Sequence, residues 1–199
     1  MRTQKGFTLI ELLVVTSIFI IVTGIVLASN SRFGGRVLLQ NLAYDIALSI
    51  RQAQVYGISV RRFGTSTYSA GYAMHFSSAN PTQYVLFADA IIPNGLYDGC
   101  DDAASCELVE STEIARGYEI TDLCSTAGAG GAEVCGKEEL DILFKRPEPD
   151  AYISANGVSG IANIPALQQR ARIVVESPRG DHMSIVVEAT GQIAIRSYE

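Results

Sequence analysis

Apolar residues fill the chain from Phe7 to Ala28, and the only ionisable side chain within this run is that of Glu11. A helix of about 20 apolar residues, at a rise of about 1.5 Å per residue, matches the hydrocarbon core of a bilayer. The run therefore predicts a membrane-spanning helix. Arg2 and Lys5 precede it. Such cations are expected on the cytoplasmic side, which directs the rest of the chain to the exported side.

A second helical pattern follows the apolar run. The segment 30–36 contains the adjacent glycines Gly34 and Gly35, which predict a kink or a local melting of the helix. Apolar residues then recur at spacings of three and four, which predicts an amphipathic helix that packs on a sheet and stops at Gly57. The members of this apolar stripe are Leu38, Leu39, Leu42, Ala43, Ile46, Ile50 and Ala53.

The rest of the chain has the alternation and the short apolar runs that are typical of β-strands. Strands are predicted at residues 71–76, 83–88, 118–123, 140–144, 172–176, 183–188 and 192–198. The last three are expected to form an antiparallel meander with turns at residues 178–181 and 189–191. A long helix followed by strands predicts an α+β fold, with the helix laid across an antiparallel β-sheet.

The lone carboxylate of Glu11 is costly in a membrane, which indicates a function and a partner. Cleavage between Gly6 and Phe7 would create an amine four residues before Glu11, close enough for a charge pair within one chain or with a neighbouring copy. Alternatively, Glu11 lies near the interface and its carboxylate snorkels to water. Cleavage as a secretory signal near Ala28 is also open, but the residues there form a poor cleavage site.

The stretch Lys5-Gly6-Phe7-Thr8-Leu9-Ile10-Glu11, followed by an apolar helix, resembles the processing site of type IV prepilins and type II secretion pseudopilins. The resemblance implies that a prepilin peptidase cuts after Gly6 and methylates Phe7. It also implies that Glu11 neutralises the N-terminus of an adjacent subunit. The implied organisation is a leader at 1–6, a transmembrane and assembly helix at 7–29, its amphipathic continuation at 30–56 and a β-rich, pilin-like head at 57–199.

The segments 42–53 and 185–193 look like those of the minor pseudopilins GspH and FimT. This resemblance implies a minor pilin or pseudopilin, a structural subunit held in the bacterial inner membrane until it enters a type IV pilus or a type II secretion pseudopilus. The implied partners are other pilin or pseudopilin subunits, the prepilin peptidase, the inner-membrane assembly platform and membrane lipid. The segment 94–139 has no counterpart and is expected to be an insertion.

One alternative is a single-pass anchored domain outside any filament, and it predicts that Glu11 is dispensable. Another is a minor pilin that captures DNA, as some FimT-like proteins do. The formal net charge is −6, and loss of the two leader cations lowers it to −8, which disfavours general nucleic-acid binding. DNA capture therefore requires a local basic patch. The candidate residues for such a patch are Arg61, Arg62, Arg170, Arg172, Arg179 and Arg196.

All four cysteines lie in the expected insertion. Four cysteines allow three pairings. In an exported domain two disulfides are expected, and the short spacings favour Cys100 with Cys106 and Cys124 with Cys135. A zinc site is the alternative, although neither spacing is that of a common zinc knuckle and no histidine is nearby in sequence.

Two further kinds of site are considered. Asp98, Asp101, Asp102 and Glu107 offer oxygen ligands to calcium, but their spacing does not reproduce an EF-hand loop. A solvated acidic loop is favoured, and no cofactor is expected. The two histidines, His75 in a predicted strand and His182 beside a turn, accompany no nucleophile motif or metal-ligand spacing. No catalytic site and no enzyme activity are expected.

Overall fold

A computed structural model describes residues 6–59, 61–64, 70–100, 106–115, 117–128, 130–161 and 168–198, with the backbone alone at 28–33. Within these ranges a long helix, α1 (Leu9–Ile58), precedes ten strands, which confirms the α+β class. The chain divides into two compact units, Met1–Leu38 and Leu39–Glu199. The strands are β1 (Gly71–Ser77), β2 (Gln83–Asp89), β3 (Leu108–Glu113), β4 (Glu119–Ala127), β5 (Glu133–Val134), β6 (Glu139–Phe144), β7 (Ala151–Ala155), β8 (Gln168–Glu176), β9 (His182–Glu188) and β10 (Ile193–Ser197).

Two glycine-based predictions about α1 differ from the structure. The helix continues through Gly34 and Gly35, so the predicted local melting of the helix is wrong. Gly57 does not stop the helix, which runs on to Ile58. A Cβ at Gly57 would lie 2.3 Å from the carbonyl oxygen of Phe144. Glycine is therefore needed there because the last turn of α1 approaches the backbone of β6 closely.

The strands form two antiparallel sheets rather than the single sheet expected. Sheet 1 has the order β3-β2-β1-β6-β7, and sheet 2 has the order β10-β9-β8-β4-β5. The predicted meander is present, because β8, β9 and β10 are adjacent in sheet 2. Its turns contain Gly180 and Gly191, both at positive φ. The expected insertion contributes β3 to sheet 1 and β4 and β5 to sheet 2.

One apolar core joins the inner faces of both sheets to the second half of α1. The stripe residues that are buried in it are Leu39, Ala43, Ile46, Ile50 and Ala53. Leu38 was predicted in the stripe but is 37% exposed. The buried amide of Gln54 donates to the carbonyl oxygens of Pro149 at 2.9 Å and Gly191 at 3.1 Å. These bonds attach the helix to the loop before β7 and to the β9–β10 turn.

The outer face of sheet 1 is covered by residues 90–100, which follow β2 and are called the strap here. The ring of Tyr97 packs against Phe87 and His75, with centroid distances of 5.3 and 5.0 Å. Ser154 of β7 donates its hydroxyl to the carbonyl oxygen of Gly95 at 2.9 Å. The strap thus buries a second, smaller apolar cluster that includes Phe87 and Leu143.

Candidate assembly and processing site

The residues around the predicted cleavage point lie just before helix α1. Gly6, Phe7 and Thr8 are not helical, and the first i→i−4 bond runs from the N–H of Leu12 to the carbonyl of Thr8 at 3.2 Å. The Thr8 hydroxyl accepts the backbone N–H of Glu11 at 3.3 Å. Thr8 is therefore the N-cap of α1. The bond between Gly6 and Phe7 lies outside the helix, and Phe7 is 83% exposed.

Sequence reasoning did not assign this role to Thr8, although a signal was present. Thr8 and Glu11 stand three residues apart before an apolar run, which is the spacing of a capping box. The Glu11 backbone N–H is the donor in the observed bond.

The first half of α1 has the dimensions and composition of a membrane span. Leu9–Leu27 comprises 19 residues with a mean hydropathy of 2.6, and none of it is buried within the structure. At about 1.5 Å per residue it is about 28 Å long, close to the thickness of a hydrocarbon core. Thr16 and Ser17 both donate their hydroxyls to the carbonyl of Leu13, at 3.0 and 2.8 Å. The one ionisable group of the span is Glu11, which makes it the group that most needs a partner in lipid.

The four cysteines form the disulfides Cys100–Cys106 and Cys124–Cys135, the pairs that the short spacings favour. A carboxylate oxygen of Asp122 lies within 4.8 Å of both sulfur atoms of the second pair. These sulfur atoms are joined to each other, however, and a disulfide sulfur is not the thiolate that zinc requires. Asp122 instead accepts the backbone N–H of Gly136 at 2.8 Å.

The four acidic residues considered as calcium ligands have different environments. Asp101 and Asp102 lie outside the described residues, and Asp98 is exposed. Glu107 is fully buried, so its prediction as part of a solvated loop is wrong. Its Oε1 accepts the backbone N–H groups of Ile91 at 3.1 Å and Ile92 at 3.4 Å. Glu107 therefore fixes the first residues of the strap.

Asp89, which sequence reasoning missed, holds the same strap from the end of β2. It is 2% exposed, and its Oδ1 accepts the N–H of Asn94 at 3.1 Å. Burial raises the pKa of Asp89 to about 6; the N–H groups of Gly95 and Asn94 oppose this shift, and the Glu107 carboxylate adds to it. Within the described chain, Asp89 Oδ2 and Glu107 Oε2 are buried without a hydrogen-bond partner. No local pattern marks Asp89, because its burial depends on the strap.

Three of the six candidate arginines share the outer face of sheet 2. Arg170 and Arg172 lie on β8 and Arg196 on β10, as the strand registers show. Arg170 Nε is 2.8 Å from Glu188 Oε1. Arg172 Nε is 3.1 Å from Glu133 Oε1, close enough for charge attraction although its N–H is not aimed at the oxygen. Carboxylates thus offset the positive charge of both β8 arginines.

The remaining three candidates lie outside the strands of sheet 2. The Arg61 guanidinium lies 3.6 Å from the centroid of Tyr56, a residue near the end of α1. Tyr56 contacts Tyr72 of sheet 1. Arg62 follows Arg61, and Arg179 lies in the turn between β8 and β9. Three of the six candidates thus lie on strands of sheet 2, and three do not.

Both histidines lie beside carboxylates. His75 of β1 faces Asp141 of β6, with 2.7 Å between Nδ1 and Oδ1. Burial raises the pKa of Asp141, and the hydrogen bond and charge of His75 oppose that shift. His182 opens β9 with its Nδ1 3.8 Å from Glu176. Among the described residues, the one cluster with metal-ligand geometry contains neither histidine.

The family comparison concerns the N-terminal segment. Residues 1–27 match the prokaryotic N-terminal methylation motif. No match to the chain was found among curated proteins or among solved structures. The motif is that of structural pilins and not of enzymes, and it implies processing by prepilin peptidase, assembly with other pilins and membrane anchoring. The N-terminal segment, with its exposed Gly6–Phe7 bond and apolar span, is thus a prepilin-type methylation segment that supports a type IV pilin-like protein.

Proposed function

We propose that this protein is a minor pilin or pseudopilin, a structural subunit of a type IV pilus or a type II secretion pseudopilus. The observation that carries the proposal is the coincidence of the methylation motif with an exposed apolar helix whose one ionisable group is Glu11. The assignment to the group of GspH and FimT rests on residues 42–53 and 185–193. The first segment lies in the part of α1 that enters the core, and the second includes the β9–β10 turn.

In the proposed pathway the chain first crosses the inner membrane once. Arg2 and Lys5 remain on the cytoplasmic side, and the head lies on the exported side. The two disulfides agree with an oxidising compartment. Prepilin peptidase then cuts between Gly6 and Phe7 and methylates the Phe7 amine.

Glu11 acts in the next step. The new Phe7 amine of one subunit pairs with the Glu11 carboxylate of a neighbour, so that both charges can leave the membrane within a packed bundle of apolar helices. A paired charge is far less costly in an apolar environment than an isolated one. Neighbouring helices thereby replace lipid around Leu9–Leu27.

Processing is tested by intact and N-terminal peptide mass spectrometry of the full chain, expressed with and without prepilin peptidase. The expected product begins at Phe7, carries one added methyl group and depends on the peptidase. Gly6→Val places a branched side chain beside the cut bond and should block processing. Gly24→Val, at a helical glycine whose added Cβ would meet no atom within 4 Å, is the matched control. A product beginning at Met1 or near Ala28 would refute the proposal.

Assembly is tested by exchanging Glu11. Glu11→Gln should leave membrane insertion and cleavage intact but reduce incorporation into filaments at least about tenfold, because the amide cannot neutralise an amine. Glu11→Asp, which keeps the charge on a shorter side chain, should retain more incorporation than Glu11→Gln. If Glu11→Gln is incorporated as well as the wild type, the role of Glu11 in assembly is refuted. If neither the wild type nor the variant enters filaments, the protein is an anchored domain outside any filament.

DNA capture is not proposed, because carboxylates accompany Arg170 and Arg172 on the outer face of sheet 2. Phosphate binding depends on clustered, uncompensated cations. A salt titration of DNA binding by the head is expected to show no binding even at low salt.

A further inference from the structure

Thr8 caps helix α1 at its N-terminus. Its hydroxyl accepts the N–H of Glu11, and its carbonyl accepts the N–H of Leu12. In a helix each backbone N–H donates to the carbonyl oxygen four residues earlier. If α1 were longer by one such hydrogen bond, the Glu11 N–H would therefore donate to the carbonyl oxygen of Phe7 instead of to the Thr8 hydroxyl. A single N–H group therefore has two competing acceptors, the Thr8 hydroxyl and the Phe7 carbonyl.

One further helical hydrogen bond at the N-terminus would involve the cleavage site directly. The N–H of Ile10 would bond to the carbonyl of Gly6, and that carbonyl belongs to the Gly6–Phe7 peptide bond. A peptide bond inside a helix must open locally before a protease can cut it. Lipid favours helix extension, since an unsatisfied backbone N–H is costly there. Phe7 is an apolar residue that a helix tolerates, so Phe7 itself does not stop the extension.

We infer that Thr8 is a positioning residue for processing: its hydroxyl caps α1 and thereby keeps the Gly6–Phe7 bond in a non-helical segment that the prepilin peptidase can cut. The inference rests on the proposed function, because it assumes that this bond is the one cleaved. It is carried by the 3.3 Å cap bond, by the helix start at Leu9 and by the exposure of Phe7. Thr8 does not take part in the chemistry of cleavage.

The first experiment is a time course of cleavage of the full chain in membranes that contain prepilin peptidase, followed by intact mass. Thr8→Val has nearly the same shape but no acceptor oxygen, and its cleavage is expected to be about tenfold slower, in keeping with the loss of an N-cap. Thr8→Ser keeps the acceptor and is expected to be cut within about twofold of the wild-type rate. Equal rates for Thr8→Val and the wild type would overturn the inference.

A peptidase that recognised the hydroxyl directly would give the same order of rates, so a rescue variant is needed. Adding Leu9→Pro to Thr8→Val places proline at the first helical position, where it is favoured, and disfavours helical geometry at the preceding residue. This change restores the helix start without restoring the hydroxyl. Cleavage of the double variant is expected to return to within about threefold of the Leu9→Pro single variant. No recovery would assign the hydroxyl to direct recognition and overturn the inference.

A structural measurement without the peptidase tests independently whether the Thr8 hydroxyl keeps Phe7 outside the helix. Backbone ¹³C chemical shifts of Phe7, measured in the full chain in detergent micelles, are expected to be non-helical in the wild type and in Thr8→Ser. They are expected to become helical in Thr8→Val. Identical shifts in all three proteins would overturn the inference.

The same time course separates this inference from the proposed function. Failure of the peptidase to cut the wild-type chain would overturn both. Cleavage of the wild type after Gly6, with no effect of Thr8→Val on the rate, would overturn the inference alone and leave the proposed function standing.

Discussion

Replacing Asp89 with asparagine tests how the strap is held on sheet 1. The wild-type carboxylate is almost completely buried, with one oxygen bonded to the N–H of Asn94 and the other without a partner among the described residues. Asparagine has nearly the same shape and keeps an acceptor oxygen for that N–H. It removes the buried charge and the repulsion with Glu107. The exchange therefore isolates the cost of ionising this one group.

The size and the sign of the expected change in stability follow from the pKa of Asp89. Burial raises this pKa from 3.8 to about 6. The folded protein thus binds the proton more tightly than the unfolded chain. The resulting stabilisation is fully present below the unfolded pKa, and it is lost as the pH rises through about 6. A shift of about two units corresponds to about 3 kcal/mol. The free energy of unfolding of Asp89→Asn, relative to that of the wild type, is therefore expected to rise by about 2–3 kcal/mol between acidic and neutral pH.

Urea unfolding of a head fragment, residues 36–199, followed by circular dichroism near pH 4 and near pH 7.5, measures this gain. The fragment includes the compact unit Leu39–Glu199. The quantity of interest is the change with pH in the stability difference between Asp89→Asn and the wild type. Asp150→Asn removes an exposed carboxylate and is the control, with an expected change below about 0.5 kcal/mol. A stability difference for Asp89→Asn that is the same at both pH values would refute the reasoning.

Two further pairs of exchanges in the same fragment, each a test and its control, examine the packing of the head. Gly191→Ala is expected to cost about 2–4 kcal/mol, because φ is +78° and the new Cβ would lie 2.1 Å from the Pro149 carbonyl oxygen. Gly128→Ala, at φ +69° in open space, should cost only about 1–2 kcal/mol, and equal losses would contradict the role of the contact. Ile46→Ala should lose about 2–5 kcal/mol, whereas Leu48→Ala, at a position 65% exposed, should stay within about 0.5 kcal/mol. Similar losses in urea unfolding would contradict the assigned face of α1.

The elements that depend on local patterns were predicted with small errors. The apolar run and the spacing of Ile46, Ile50 and Ala53 each specify a helix through residues that are close in sequence. The hairpin from β9 to β10 follows from alternation on both sides of Gly191. The prediction about Gly57 was wrong because the reason for that glycine is a backbone approach from β6, which is distant in sequence.

The strands missed by sequence reasoning are β3, β5 and β7, and all three are edge strands. β3 contains glutamate, serine and threonine and is mostly solvent-accessible, so it has no alternation with a buried face. β5 has only two residues, paired with β4. β3 and β5 form because the neighbouring strands β2 and β4 offer hydrogen-bonding groups, and their own residues contribute little preference.

Sequence alone determined the prepilin-type segment, the membrane-spanning run, the α+β class and the final hairpin, because each is encoded by residue types at short, regular spacing. Tertiary structure alone decided the division into two sheets, the burial of Asp89 and Glu107 beneath the strap, and the pairing of Arg170 with Glu188. These features depend on which distant groups meet. The energy of a buried charge or of an ion pair is set by its neighbours in space, and short-range patterns do not specify those neighbours.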